Sequence, residues 1–162
     1  MKQGLAFIAL AALGLAACET TGGSRQSTGA ITQQPLEEGY ILTRIADSTL
    51  PAGECGMILW TLEDDRPEPI FRYVAGKTGD MSLNGAPTTL TRLQSEGSRG
   101  FGISEAQVFT DDTQQLQVIV TAKIGLGFDG GAYLERGLIT IENEEGWRTV
   151  TPTAGIAGCR SK

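Results

Sequence analysis

Few residues of this chain have side chains that could do chemistry. The 162-residue sequence contains no histidine, three cysteines (Cys18, Cys55 and Cys159) and 19 acidic residues. Without histidine there is no Ser–His or Cys–His nucleophilic pair, no histidine metal ligand and no histidine pH switch. The remaining candidates are the thiols, which can be acylated or oxidised, and the acidic residues, which can bind cations or transfer protons.

The acidic residues form short clusters between apolar segments, at 63–65, 111–112 and 142–145. Residues 63–65 precede Pro67 and Pro69, which is typical of a turn whose charges face water. None of the clusters has the Asp-x-Asn-x-Asp-Gly spacing of a calcium loop. We therefore predict no catalytic residue, no metal site and no cofactor. A small hydrolase that uses only carboxylates is the alternative.

Cys18 follows a segment with the features of an export signal. Lys2 supplies a positive charge, an apolar run begins at Leu5, and residues 15–17 are Leu, Ala and Ala. A charged start, an apolar centre and small residues before the cut characterise a secretory signal peptide. The run is too short to cross the ~30 Å hydrocarbon core, which needs ~20 residues. We predict that residues 1–17 are a signal peptide.

The tetrapeptide Leu15-Ala16-Ala17-Cys18 resembles the lipobox of bacterial lipoproteins. The resemblance implies that the Cys18 thiol receives a diacylglycerol, that residues 1–17 are then removed, and that the freed amine is acylated, with palmitate as a typical chain. Such chains anchor a protein stably, because each buried methylene contributes ~0.8 kcal/mol. Glu19, in place of an aspartate, favours the outer membrane over the inner one. The expected location is the periplasmic face of the outer membrane; the alternative is a free thiol after an ordinary signal cleavage.

Residues 18–39 are predicted to be the lipidated cysteine and a flexible tether. They are rich in Gly, Ser, Thr and Gln and have almost nothing to bury, so ordering them would cost entropy without compensation. Removing residues 1–17 takes away Lys2 and leaves 12 basic against 19 acidic side chains, a net charge of −7. This balance favours solubility and argues against nucleic acid, which needs a basic surface.

Residues 40–162 are predicted to form one β-domain. Residues 115–124 alternate between apolar and mostly polar side chains, which indicates a strand with one buried face. Asn84-Gly85 predicts a tight hairpin. Residues 94–100 are interpreted as a polar loop and residues 125–131 as a chain reversal. A strand is predicted at 101–109, with one helical turn near 105–107 as the alternative, and Pro152 is expected to mark the edge or the end of the closing strand.

The spacing of these segments sets the fold class. Eight or nine short strands recur every 8–12 residues, and their connections are too short for crossover helices. We predict an all-β fold, a small antiparallel β-barrel or sandwich of about eight strands closed by one disulfide. Trp60 and Trp147 are expected to fill its core, with the lining of a ligand cavity as the alternative.

Cys55 and Cys159 remain once Cys18 is acylated. An oxidising periplasm makes a disulfide between them the default. It would close a loop of about a hundred residues, worth about 4–5 kcal/mol in the chain-entropy model. A redox or metal pair is the alternative, but the spacing is not Cys-x-x-Cys.

Two further resemblances bear on function. Ser98-Arg99-Gly100-Phe101 resembles the Ser-Gly-x-x-Tyr-type loop of periplasmic c-type lysozyme inhibitors, with the glycine displaced and phenylalanine in place of tyrosine. Residues 40–160 are similar to small envelope lipoproteins of Gram-negative bacteria, which have an early cysteine strand and a terminal Gly-Cys. We expect a non-enzymatic lipoprotein whose β-domain binds an envelope protein partner. The alternatives are an inhibitor of a basic c-type lysozyme and a carrier of a small apolar ligand.

Overall fold

The computed structural model describes residues 39–62, 65–113 and 115–162. The regular structure in these ranges is entirely β-strand, so no helix among them could cross a bilayer. The predicted signal peptide, Cys18 and all but the last residue of the predicted tether lie outside the described residues. The described residues form nine strands: β1 (Leu42–Thr43), β2 (Cys55–Thr61), β3 (Pro69–Val74), β4 (Thr78–Leu83), β5 (Ala86–Gly100), β6 (Ile103–Asp111), β7 (Leu116–Phe128), β8 (Gly131–Asn143) and β9 (Arg148–Cys159).

Strands β2 to β9 form a closed antiparallel barrel. Each strand pairs with the next one along the chain, and β9 pairs back with β2 through seven consecutive residue pairs. The short β1 lies outside this closed set of eight strands and pairs with the end of β4. Of the two predicted architectures, the eight-stranded barrel is therefore the one that forms. We call the β2–β9 junction the seam.

The barrel is filled by side chains from alternate positions of its strands. On β7, Val118, Val120 and Ala122 are buried, as the alternation of residues 115–124 predicts. The rings of Phe71 and Tyr73 both meet that of Phe109 edge-on, with centroids 5.4 and 5.2 Å apart. Such edge contacts stabilise aromatic clusters beyond the area they bury.

The predicted Asn84-Gly85 hairpin is confirmed. Both residues have positive φ, 50° and 82°, as a two-residue turn matched to strand twist requires. Leu83 and Ala86 are the first residue pair on either side of it.

Two predicted irregular segments are strands instead. Residues 94–100 belong to β5, which pairs with β6 and absorbs two bulges, one after Arg92 and one after Glu96. β7 likewise continues through most of residues 125–131, with a bulge after Ile124, and reverses only at Asp129-Gly130. Both segments are polar or rich in glycine, which is typical of loops. They form strands because pairing with a neighbouring strand satisfies their backbone hydrogen bonds.

The predicted strand at 101–109 is confirmed as β6, and the helical-turn alternative is wrong because Ala106 pairs with both Glu96 and Thr121. Of the two roles expected of Pro152, the end of the last strand is wrong, because β9 continues to Cys159. The ladder with β2 reaches only to Thr153, so Pro152 occupies an edge-like position where its missing N–H is tolerated.

The expected role of the two tryptophans in the core is wrong. Trp60 is only half-buried, and Trp147 lies in the β8–β9 turn with 52% of its surface exposed. Trp60 alternates with the inward-facing Met57 and Leu59, and this register places it on the outer wall. Tyr73, Phe71 and Phe109 are the large aromatic side chains of the core.

Candidate functional site

The seam carries the predicted disulfide. Cys55 and Cys159 are register partners on β2 and β9, their Cα atoms are 3.9 Å apart, and their sulfurs are bonded. The predicted pairing is thus confirmed. We call this end of the barrel, which also holds the β3–β4, β5–β6 and β7–β8 turns, the disulfide end. The opposite end, where Gly39 lies beside Thr149 at the start of β9, is the Gly39 end.

Residues 46–53, which we call the strap, cross the outer wall beside the seam. Arg72 on β3 holds the strap by an ion pair to Asp47 at 2.6 Å and a hydrogen bond to the Thr49 carbonyl at 3.0 Å. Arg72 also pairs with Asp80 on β4 at 2.7 Å. Near the C-terminal end, Arg160 donates a hydrogen bond to the Leu50 carbonyl at 2.8 Å. These side chains fix the strap to the barrel at two points, and the Gly53 N–H adds a third by donating to the Arg160 carbonyl at 2.9 Å.

The strap contacts shift two pKa values. Hydrogen bonds from the Thr49 backbone N–H and hydroxyl, and then the Arg72 guanidinium, lower the pKa of Asp47 from 3.8 to about 2. Partial burial works to lower the pKa of Arg72, but hydrogen bonds to Asp80 and Asp47 outweigh it and raise that pKa. Both shifts favour the charged pair that fastens the strap.

An open apolar groove runs beside the seam at the disulfide end, between the strap and the β7–β8 turn. Its volume is about 340 Å³, within the range of small binding pockets. Its floor includes Ile58 and Ile156, which are register partners on the outer face. We call it the seam groove; its lining residues are Ser48, Thr49, Leu50, Ile58, Phe128, Asp129, Gly130, Ile156, Gly158, Cys159 and Arg160.

Exposed apolar side chains extend the seam groove across β8. Tyr133 is the register partner of Ile156, and its ring lies 5.1 Å from that of Phe128. Leu126, Phe128 and Tyr133 are 74%, 41% and 51% exposed. Contiguous apolar surface of this kind is characteristic of an interaction site.

Gly158 allows the β7–β8 turn to approach the groove floor closely. It lies on the outward face of β9, and a Cβ added to it would come within 2.7 Å of the Gly130 carbonyl oxygen. A side chain here would collide with the β7–β8 turn, so the close approach of turn and seam requires glycine.

The two lips of the seam groove differ in charge. Arg160 reaches the strap lip, where its Nη1 is bound to the Leu50 carbonyl, and Asp129 lies on the turn lip. Within the described ranges, Arg160 has no ion pair with a carboxylate and no hydrogen bond from Nε or Nη2. The groove therefore combines an apolar floor with one guanidinium that is held in place but lacks an anionic partner.

The acidic clusters lie towards the Gly39 end. Asp111 and residues 144–145 line a polar cavity of about 540 Å³ together with Tyr40. Burial opposes ionisation of Asp111, but hydrogen bonds from Thr113 and from backbone N–H groups lower its pKa. In the described part of the chain, no three acidic or cysteine side chains form a group that could hold a metal ion.

The other acidic candidates are also accounted for. Glu142 pairs with Arg148 at 3.1 Å, and Asp65 and Asp112 are exposed. Glu63 and Asp64 lie outside the described residues. The structure does not bring the described clusters to the seam groove.

A polar group inside the barrel was not predicted from the sequence. The Arg92 guanidinium lies 5.2 Å from the centroid of the Tyr73 ring and donates to the Gln107 side chain at 3.1 Å and to the Gly102 carbonyl at 3.3 Å. Gln107 is itself buried and contacts the Met57 sulfur. These contacts tie the β5–β6 turn to the core, and we interpret the group as structural.

Sequence reasoning also missed the seam groove. Residues 57–60 are a continuous apolar run, which predicts burial on both faces and does not show that Ile58 faces a groove. The local signals were apolar residues beside glycines: Ile156 near the C-terminus, and Leu126 and Phe128 before the β7–β8 turn.

The chain matches no protein-family model, and no match to it was found among the curated proteins or the solved structures. The interpretation of the seam groove therefore depends on its own geometry and chemistry.

Proposed function

We propose that this chain is a non-enzymatic periplasmic lipoprotein, anchored in the outer membrane through acylated Cys18, which binds an envelope protein partner through the seam groove. The lipobox-like residues 15–18 support the anchor. The apolar floor and exposed aromatic rim of the seam groove support the binding face.

One observation carries the proposal: the seam groove and the start of the described chain lie at opposite ends of the barrel. Gly39 lies beside Thr149, whereas the groove is lined by Gly158 of the same strand. Nine residues of strand span about 30 Å. A tether that enters at Gly39 would leave the groove facing away from the lipid surface and accessible to a partner.

The charge distribution would also keep the barrel clear of an anionic lipid surface. Asp111, Asp112 and residues 144–145 all lie at the Gly39 end. An anionic bilayer would repel this end, because surface charges interact over a Debye length of about 8 Å at physiological salt. Repulsion at the anchored end would hold the barrel away from the membrane.

The carrier hypothesis places an apolar ligand inside the barrel, where Phe71, Tyr73 and Phe109 are packed against one another. Filling of the interior by side chains is usual for eight-stranded barrels, and only some hold a ligand. We therefore favour the outer groove. Native mass spectrometry of the purified mature chain tests the carrier hypothesis, which predicts a co-purified small molecule.

The lysozyme-inhibitor hypothesis also stays a prediction. The acidic Gly39 end would attract a basic enzyme. The inhibitor-like residues 98–101, however, lie at the disulfide end, and Phe101 packs against the core, so its ring is not presented to a partner. Inhibition of a c-type lysozyme by micromolar mature chain would support the hypothesis, and no inhibition would exclude it.

Affinity capture from membranes tests the favoured proposal. The anchored protein should retain a specific envelope protein, and Ile156→Ser, which removes apolar surface from the groove floor, should lose it. Val150→Ser is the matched control, because Val150 is exposed on the outer face of β9 outside the groove lining. The Cys18→Ala variant shows whether capture needs the anchor. Equal capture by Ile156→Ser and the unmodified protein would refute the assigned binding face.

A further inference from the structure

We propose that the seam groove recognises the free carboxyl terminus of a protein chain whose last and third-last residues are apolar. This inference rests on the proposed function, in that it takes the seam groove as the binding face, and it specifies the chemistry of the partner.

The recognition of a carboxylate follows from Arg160. Its Nη1 is engaged by the Leu50 carbonyl at 2.8 Å, which fixes the guanidinium on the strap lip, while Nε and Nη2 have no partner among the described residues. Two donors on one planar group match the two oxygens of a carboxylate. Asp129 lies on the opposite lip and would repel an anion there, so the carboxylate belongs on the strap side.

The apolar requirement follows from the floor. From the strap lip, the surface continues from Leu50 over Ile58 and Ile156 to Phe128. In an extended chain, residues two apart face the same side and are separated by about 7 Å. Two apolar side chains next to a terminal carboxylate can therefore lie along this floor, with the outer one near the exposed Phe128 and Tyr133 rings.

The open form of the groove favours a chain end over a fatty acid, which also combines an apolar part with a carboxylate. Small-molecule sites bury most of their ligand. The seam groove is open to solvent between the strap and the β7–β8 turn, so a long alkyl chain would stay partly exposed. A protein terminus needs only its last side chains covered, because the rest of the chain continues into solvent.

Calorimetric titration of the mature chain carrying Cys18→Ser tests the inference with four probes. The first is an acetylated hexapeptide ending in Val-Ser-Phe with a free carboxylate, the second is its carboxamide, the third ends in Ser-Ser-Ser, and the fourth is decanoate below its micelle concentration. We expect the free acid to bind, the carboxamide to bind roughly tenfold more weakly because a charge-assisted bond is lost, and the other two not to bind.

Three variants distinguish recognition of the carboxylate by Arg160 from apolar contact with the groove floor. Arg160→Gln should abolish the difference between acid and amide. Because Arg160 also holds the strap lip through the Leu50 carbonyl, loosening of that lip should weaken both peptides by the same factor. Ile156→Ser should weaken both peptides, and Val150→Ser neither. Circular dichroism verifies that each variant is folded.

Four results would overturn the inference: equal affinity of the unmodified groove for acid and amide, an Arg160→Gln variant that still prefers the acid to the amide, binding of decanoate alone, or no binding of the free acid at millimolar concentration. None of these results would contradict the proposed function if affinity capture of a partner from membranes still depends on Ile156. Equal capture by Ile156→Ser and the unmodified protein would instead contradict the proposed function itself.

Discussion

Arg160 donates a hydrogen bond to the carbonyl oxygen of Leu50 at 2.8 Å, across 110 residues of sequence. This bond joins the residue after β9 to the strap, immediately beside the disulfide between Cys55 and Cys159. One lip of the seam groove is therefore held by two links that both cross the seam. The shape of the groove depends on closure of the barrel, because its floor is formed by Ile58 of β2 and Ile156 of β9, which meet only across the seam.

Removal of the disulfide should destabilise the barrel without unfolding it. The bond joins residues 104 positions apart, and loss of such a bond typically lowers the free energy of unfolding by about 2–5 kcal/mol. The seven residue pairs of the seam remain in a Cys55→Ala/Cys159→Ala variant and should keep it folded. Urea denaturation measures the difference. Dithiothreitol should lower the stability of the unmodified protein to that of the variant, and an equal stability of variant and oxidised protein would contradict the prediction.

Acidification should release the strap. The pKa of Asp47 is lowered to about 2 in the folded protein from 3.8, so its ionised contacts contribute stability above pH 4 and lose it as the pH falls from about 4 towards 2. Amide signals of residues 47–50 in nuclear magnetic resonance spectra should shift over this range. An Asp47→Asn variant is the control and should not show this titration. A strap that titrates near pH 4 in the unmodified protein would contradict the assigned contacts.

Thr153→Val should stabilise the protein. The Thr153 hydroxyl is buried and has no hydrogen-bond partner, and valine has nearly the same shape without the desolvated polar group. We expect the free energy of unfolding to rise by about 1 kcal/mol. Thr110→Val is the matched control, because the Thr110 hydroxyl donates to the Leu116 carbonyl at 3.0 Å. That variant should lose about 1 kcal/mol, and a loss in both variants would show that the Thr153 hydroxyl is favourably placed.

The proposed anchor predicts a lipid on Cys18. Mass spectrometry of the mature N-terminus should show an acylated cysteine, and Cys18→Ser should release the protein from the membrane fraction. Globomycin, which blocks lipoprotein signal cleavage, should cause an unprocessed precursor to accumulate. Normal processing in its presence would contradict acylation.

The all-β class and the disulfide could be predicted because each depends on local or compositional features. The alternation of residues 115–124 and the turn at Asn84-Gly85 report backbone preferences of a few neighbouring residues. Cys55 and Cys159 could pair with no cysteine but each other once Cys18 was assigned to the lipid. The polar segment 94–100 was misinterpreted because it becomes a strand only through its pairing with β6.

The sequence alone determined that residues 40–162 form antiparallel β-strands and carry one internal cysteine pair, since these follow from residue types and short spacings. Only the tertiary structure decided that the sheet closes into a barrel, that Ile58 and Ile156 meet on its outer wall, and that Arg160 reaches Leu50. Periodicity shows that a strand has two faces, but the register between distant strands determines which residues meet across a seam.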